Sequence, residues 1–154
     1  MKTFEDSATL SDVSRKHESL TLDSVLETVL AIETLAHQYA DEAGFDAETV
    51  LKIAMVAREA AVNAILHGNR QDPAKHVRAT LNLTAEALTI CVADEGDGFN
   101  PDAVPDPLTP ENILRGSGRG VFLMRAIMDE VHVRLLHPGT EVTLVKRRPQ
   151  ALPG

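Results

Sequence analysis

The chain has 154 residues, 44% of them apolar, and a formal net charge of −8, which suits one domain with a real core and lacks the basic balance of nucleic-acid binders. Its one cysteine, Cys91, forbids an internal disulfide and a multi-cysteine zinc site. There is no tryptophan to build a base-stacking platform, and no apolar run approaches the ~18 residues that read as a membrane span.

Residues 1–14 are mixed and polar and read as a loose leader without the apolar core of a signal peptide, so the cytoplasm is the expected compartment. Glu18-Ser19-Leu20-Thr21-Leu22 alternates as a short strand does. Asp23 or Ser24 can cap a helix to about Ala43, with Val25, Val29, Ile32, Leu35 and Ala36 at helical spacing and Gly44 as its stop. Asp46 caps a second helix, which runs through Val50, Ile53, Ala57, Ala61 and Ile65 to a stop at His67-Gly68-Asn69. Val77, Ala79, Leu81 and Leu83 alternate with polar residues as a half-buried strand. The run from Leu88 to Ala93 is more uniformly apolar and reads as a central strand, with Cys91 as a buried, inert thiol.

Residues 95–116 lack periodicity and hold four prolines, the signature of a functional loop such as a lid. A third helix is expected over 118–130, then strands over 131–136 and 141–145 joined at His137-Pro138-Gly139-Thr140. The order β-α-α-β-β-α-β-β predicts an α+β two-layer sandwich, with helices on one face of a mixed, mostly antiparallel sheet. Residues 15–148 form the expected single domain, followed by a tail over 149–154.

Three stretches carry chemistry. In residues 59–68, Glu59, Asn63 and His67 fall at i, i+4 and i+8, on one helical stripe among apolar neighbours. An amide oxygen there can ligate a hard cation, and a carboxylate one turn earlier can take a proton from a hydroxyl; a stripe facing water would read the same way. Asp94-Glu95-Gly96-Asp97-Gly98 follows the central strand. A carboxylate at a strand end can accept a hydrogen bond from an exocyclic amine, and Gly96 and Gly98 would let a flat ring lie against backbone; a tight acidic turn is the plainer alternative. Gly116-Ser117-Gly118-Arg119-Gly120 opens the third helix. Glycines at a helix start expose N–H groups that suit phosphate oxygens, and Arg115 and Arg119 could add charge; a hinge would need the same glycines.

No P-loop is present, and no dinucleotide fingerprint, because a proline-rich loop rather than a strand precedes the glycines. There is no His-Glu-x-x-His, the six histidines are scattered, and Gly116-Ser117-Gly118 fits a serine-nucleophile turn only loosely. What is specific is the order: Glu-x-x-x-Asn on a helix, Asp-x-Gly-x-Gly after a strand, then Gly-x-Gly-x-Gly at a helix start. That combination resembles the GHKL superfamily of ATP-binding domains, which includes gyrase-type, chaperone-type and histidine-kinase ATPases. Within it the chain is similar to the bacterial anti-sigma factor serine kinases of partner-switching systems. The segments over residues 63–68, 120–124 and 128–131, and the closing Gly139-Thr140-x-Val142, carry that likeness, which covers residues 14–147.

By that resemblance, Glu59 is the general base for a substrate serine and Asn63 holds Mg²⁺ against the phosphates of ATP. Asp94 recognises adenine with Gly98 supporting the ring, and Thr140 reaches adenine through water. Gly116, Gly118 and Gly120 make the lid hinge and the phosphate-contacting turn, with Arg115 as a basic position nearby. The resemblance also implies a sigma factor and an anti-anti-sigma protein as partners, and a homodimer; the amphipathic first helix could serve that pairing or only cover the sheet. Ser117 and Arg119 depart from the family's usual glycine and apolar residue, and Arg119 is a phosphate contact or simply exposed. Two further readings use the same pocket: an ATP-dependent binding module without kinase activity, and a detached histidine-kinase ATPase domain, against which the absence of an upstream histidine-bearing helix pair speaks.

Overall fold

The computed structural model describes residues 15–96 and 118–149. In chain order they form β1 (Lys16–Asp23), α1 (Leu26–Glu42), α2 (Ala47–Val62) continued by a π-helical segment (Asn63–Gly68), β2 (His76–Leu83), β3 (Ala87–Ala93), α3 (Gly118–Ile127), β4 (Glu130–Leu135) and β5 (Thr140–Arg147). The strands lie in the order β1-β2-β3-β5-β4, so β3 is central as its apolar run implies. All four pairings between them are antiparallel.

Register turns alternation into one apolar face. Ala79 pairs with Val92 and Val92 with Val142, while Leu81 pairs with Ile90 and Ile90 with Leu144. All of these are buried, and with Ile32, Ala36, Ile53 and Ala57 of α1 and α2 they make up the core. The two helices therefore cover one face of the sheet, the two-layer α+β arrangement expected. Fully burying a Leu or Ile side chain contributes roughly 1.5–3 kcal/mol, so this interface is the main source of stability. Tyr39 closes one end of it. Its ring is buried, its hydroxyl donates to Glu18 Oε1 at 2.9 Å, and Lys16 Nζ sits 4.5 Å from the ring centroid. Burial, and then the Glu18 carboxylate, hold the phenol protonated by pushing its pKa far up.

Several boundaries differ from the sequence expectation. Helix α1 is not capped by Asp23 or Ser24; its N-cap is Val25, without a side-chain cap. The Ser24 hydroxyl is engaged elsewhere, donating to Lys75 O at 2.6 Å. Gly44, at φ 93, does follow the helix end, and Asp46 does cap α2 by accepting from Thr49 N at 2.8 Å. Helix α3 stops at Ile127 rather than 130. The sheet takes over there: Asp129 N donates to Val145 O at 2.9 Å, and Asp129 Oδ2 accepts from Arg147 N at 2.6 Å. Cys91 lies outside the core, half-buried, with Thr143 Oγ1 donating to its Sγ at 3.6 Å. Desolvation raises its pKa and favours the thiol form, but the full burial expected of it does not hold. The proline-rich loop falls almost wholly outside the described residues, as do residues 1–14.

Candidate functional site

The site is built around the C-terminal end of α2. After Val62 the helix widens. Asn69 N bonds Ala64 O at 2.8 Å, a five-residue closure, in place of the α-helical four. Glu59 and Asn63 still share the stripe set by α-helical spacing, since Glu59 lies within α2 and Asn63 directly follows it. His67 does not join them and is exposed. In a turn that closes over five residues, i+4 stops short of a full revolution, so the predicted three-residue stripe ends at Asn63. The segment then stops abruptly, with Arg70 and Gln71 in left-handed backbone at φ 53 and 56, a conformation non-glycine residues seldom adopt.

Asn63 is 4% exposed, and neither its Oδ1 nor its Nδ2 has a hydrogen-bond partner among the described residues. Buried polar side chains are ordinarily satisfied, and leaving one unpaired costs the desolvation of that group. This amide lies one helical turn beyond the half-buried Glu59.

The end of β3 supplies the second wall. Asp94 is 7% exposed. Its Oδ1 accepts from Gly96 N at 2.9 Å and Thr140 N at 3.2 Å, and its backbone N donates to Thr140 O at 2.9 Å. Burial raises the Asp94 pKa, and the two backbone donors only partly offset that rise. Three glycines make the packing possible. A Cβ on Gly68 would lie 2.5 Å from the Asp94 carboxyl carbon, one on Gly96 would overlap the Gly68 carbonyl, and one on Gly139 would overlap the Asp94 carbonyl. Gly139 is also at φ 106, where a side chain is strained in any case. The bare backbone at Gly96 thus receives the Gly68 peptide, a use the sequence reading had not assigned to it.

The structure therefore brings Asp94, Gly96 and Thr140 into direct contact and sets Glu59 and Asn63 on the helical segment whose end, Gly68, packs against Asp94 and Gly96. Gly118 and Gly120 fall in the first turn of α3, which packs beside α2, and Gly120 is buried. Gly98, Arg115 and Gly116 lie outside the described residues, as does the side chain of Arg119. Sequence reasoning missed Gly68 and Gly139 as packing requirements, and it missed Asn69. The only signal available was that a His-Gly-Asn stop holds a glycine with no turn type to explain it. Among the described residues no group of three His, Cys, Asp or Glu side chains could hold a metal.

A family model of the histidine kinase-like ATPase domain matches residues 22–146. The chain is 31% identical over 113 residues to the serine-protein kinase RsbW of Bacillus subtilis (strain 168), covering 70% of each chain. It is 32% identical over 102 residues to the anti-sigma F factor of Anoxybacillus flavithermus, covering 64% of this chain and 70% of that relative. Among solved structures, the RsbU and RsbW domains of Rv1364c from Mycobacterium tuberculosis align with a TM-score of 0.59 at 19% identity, a likeness of fold. That alignment covers 90% of this chain and 35% of the other, so the chain spans about a third of that solved protein.

Proposed function

Because the chain belongs to the histidine kinase-like ATPase domain family, we propose that it is an anti-sigma factor and protein-serine kinase, which binds ATP with Mg²⁺ and phosphorylates a serine of an anti-anti-sigma partner. The names of its relatives, serine-protein kinase and anti-sigma F factor, support that reading. The observation that supports it on this chain is the buried amide of Asn63, without a hydrogen-bond partner among the described residues, one turn after Glu59 and on the segment that ends against Asp94.

In this reading the site residues take the following roles. Asp94, anchored through Oδ1 by two backbone donors, accepts from the exocyclic amine of adenine. Thr140, on the facing strand, supports the same edge of the base. Asn63 Oδ1 is the protein's ligand to Mg²⁺, which when bound screens the phosphate charge. Glu59 takes the proton of the partner's serine hydroxyl as its oxygen bonds the γ-phosphorus and ADP leaves. Gly116, Gly118 and Gly120 present backbone N–H groups to the phosphates, with Arg115 and Arg119 adding charge, while Gly98 underlies the ring. The sigma factor and the serine-bearing protein are the partners, and the working form is a homodimer in the cytoplasm. None of the described helices is long and apolar enough to cross a membrane.

Incubation with ATP, Mg²⁺ and candidate serine-bearing partners tests the proposal. Phosphate should appear on a partner serine, and Glu59→Gln should abolish transfer while ATP is still bound. Normal transfer by Glu59→Gln would remove the base assignment. Tight ATP binding with no transfer to any partner would leave the nucleotide-gated binding module as the better reading.

A further inference from the structure

Asn69 stands one residue beyond the glycine that touches Asp94, and no step above uses it. Its side chain is 1% exposed, and its amide is engaged at both ends. Nδ2 donates to Ser24 Oγ at 2.8 Å and to His76 O at 3.0 Å, while Oδ1 accepts from Glu95 N at 2.7 Å. Ser24 in turn donates to Lys75 O at 2.6 Å. One amide thus ties the β1–α1 junction and the start of β2 to the peptide that follows Asp94. Glu95 adds a second tie, since its Oε1 accepts from His76 N at 2.7 Å.

The arrangement fixes more than the fold. The Asp94 carboxylate is oriented by Gly96 N and by Thr140 N. Gly96 N is presented only if the turn over 94–96 keeps its path past Gly68. The Glu95 N–H lies in the middle of that turn, so the hydrogen bond to Asn69 sets where the carboxylate points. Asn69 is anchored on the rigid side by Ser24 and the β2 backbone, and it reaches across to the strand end.

We propose that Asn69 is a positioning residue for purine recognition: through the Glu95 N–H it holds the Asp94–Gly96 turn so that the Asp94 carboxylate meets a six-amino purine and rejects a six-oxo one. The proposal rests on the reading of Asp94 as the base-recognising group. A site built to accept a hydrogen bond from an amine discriminates strongly against an analogue that presents an acceptor there.

The test is calorimetric binding of ATP and of inosine triphosphate, with Mg²⁺, to the folded wild-type, Asn69→Ala and Ser24→Ala proteins. The two nucleotides share their phosphates and ribose and differ at the six position. Wild type should favour ATP. Asn69→Ala should lose that preference by about tenfold, close to the worth of one well-placed hydrogen bond, with inosine triphosphate affinity little changed. Ser24→Ala keeps Asn69 but removes one of its anchors, and should move the ratio the same way by about two- to threefold. A purely structural role would lower the melting temperature and weaken both nucleotides alike. An unchanged ratio in whichever variant folds overturns the proposal. A wild-type protein that binds ATP and inosine triphosphate equally would instead remove the Asp94 assignment, and one that binds neither would remove the nucleotide site itself.

Discussion

The two ends of α2 solve the same problem in opposite ways. At its start, Asp46 is a side-chain acceptor on the surface and meets Thr49 N at 2.8 Å, so the cap is satisfied within four residues of sequence. At its end, Asn63 is buried with both amide atoms unpartnered among the described residues, and the helix widens into a π turn, a form often found at functional sites. The first end is made by local chemistry and serves the helix. The second works against the local interest of the helix, and the segment is held there by groups distant in sequence: Gly68 against the Asp94 carboxylate, and Asn69 Oδ1 accepting from Glu95 N. The first end is complete within its own neighbours, and the second is the end on which the proposed nucleotide site rests.

The largest effect should come from filling the contact that holds the second end. Gly68→Ala places a methyl group 2.5 Å from the Asp94 carboxyl carbon. Overpacking of this kind costs about 1–3 kcal/mol, and the displaced carboxylate should also lose the base. Thermal unfolding and ATP titration should both fall, whereas a variant with intact ATP affinity would separate Gly68 from the pocket. Next comes Asn63→Ala. Removing an unpaired buried amide relieves about 1–3 kcal/mol of desolvation, which offsets the packing lost, so the nucleotide-free protein should unfold at nearly the wild-type temperature. Its affinity for ATP with Mg²⁺ should nevertheless fall at least about tenfold, the worth of roughly 1.4 kcal/mol, and the dependence on Mg²⁺ should vanish. A large loss of stability would show that the amide is satisfied inside the fold.

How much of this was legible beforehand follows the same division. Where neighbours along the chain decide the structure, the sequence was readable: the alternation of Val77, Ala79 and Leu81, the cap at Asp46, the stop at Gly44, the central place of the strand at Leu88. Element order then led to the α+β layers. What could not be read were interactions whose partners lie far apart in sequence. Ser24 looked like a helix cap because such residues usually are, but its oxygen is claimed by Lys75 and Asn69, partners 51 and 45 residues away. Glu59, Asn63 and His67 looked like one stripe because the pattern assumes uniform α-helical spacing. The π turn broken in after Val62 could not be inferred from Asn-Ala-Ile-Leu-His-Gly alone. The candidate site was legible as motifs, yet the packing that joins two of them, glycine on aspartate, leaves no periodic trace.

The smallest effect is the most discriminating, because it concerns sign. Asp46 and Asp94 both accept from backbone N–H groups, yet they titrate in opposite directions. Asp46 is on the surface, and its hydrogen bonds to Thr49 lower its pKa; Asp94 is buried, and desolvation outweighs its own backbone bonds to raise it. A lowered pKa means that the unfolded chain binds the proton more tightly, so the stability Asp46 contributes is present above its ordinary value of 3.8 and is lost as pH falls through its depressed folded value. A raised pKa reverses this: the contribution of Asp94 is complete below 3.8 and is lost as pH rises through its elevated folded value. Asp46→Asn, which can still cap, should therefore flatten the acid side of the stability profile and leave ATP binding intact. Asp94→Asn keeps an oxygen for Gly96 N and Thr140 N but cannot ionise. It should make the nucleotide-free protein more stable than wild type above the folded pKa of Asp94, while ATP binding weakens. If both substitutions shifted stability in the same direction across that range, burial at Asp94 would not be the dominant influence. Its carboxylate would then be retained for the fold, and the case for a charge kept at a cost for a purine would fail.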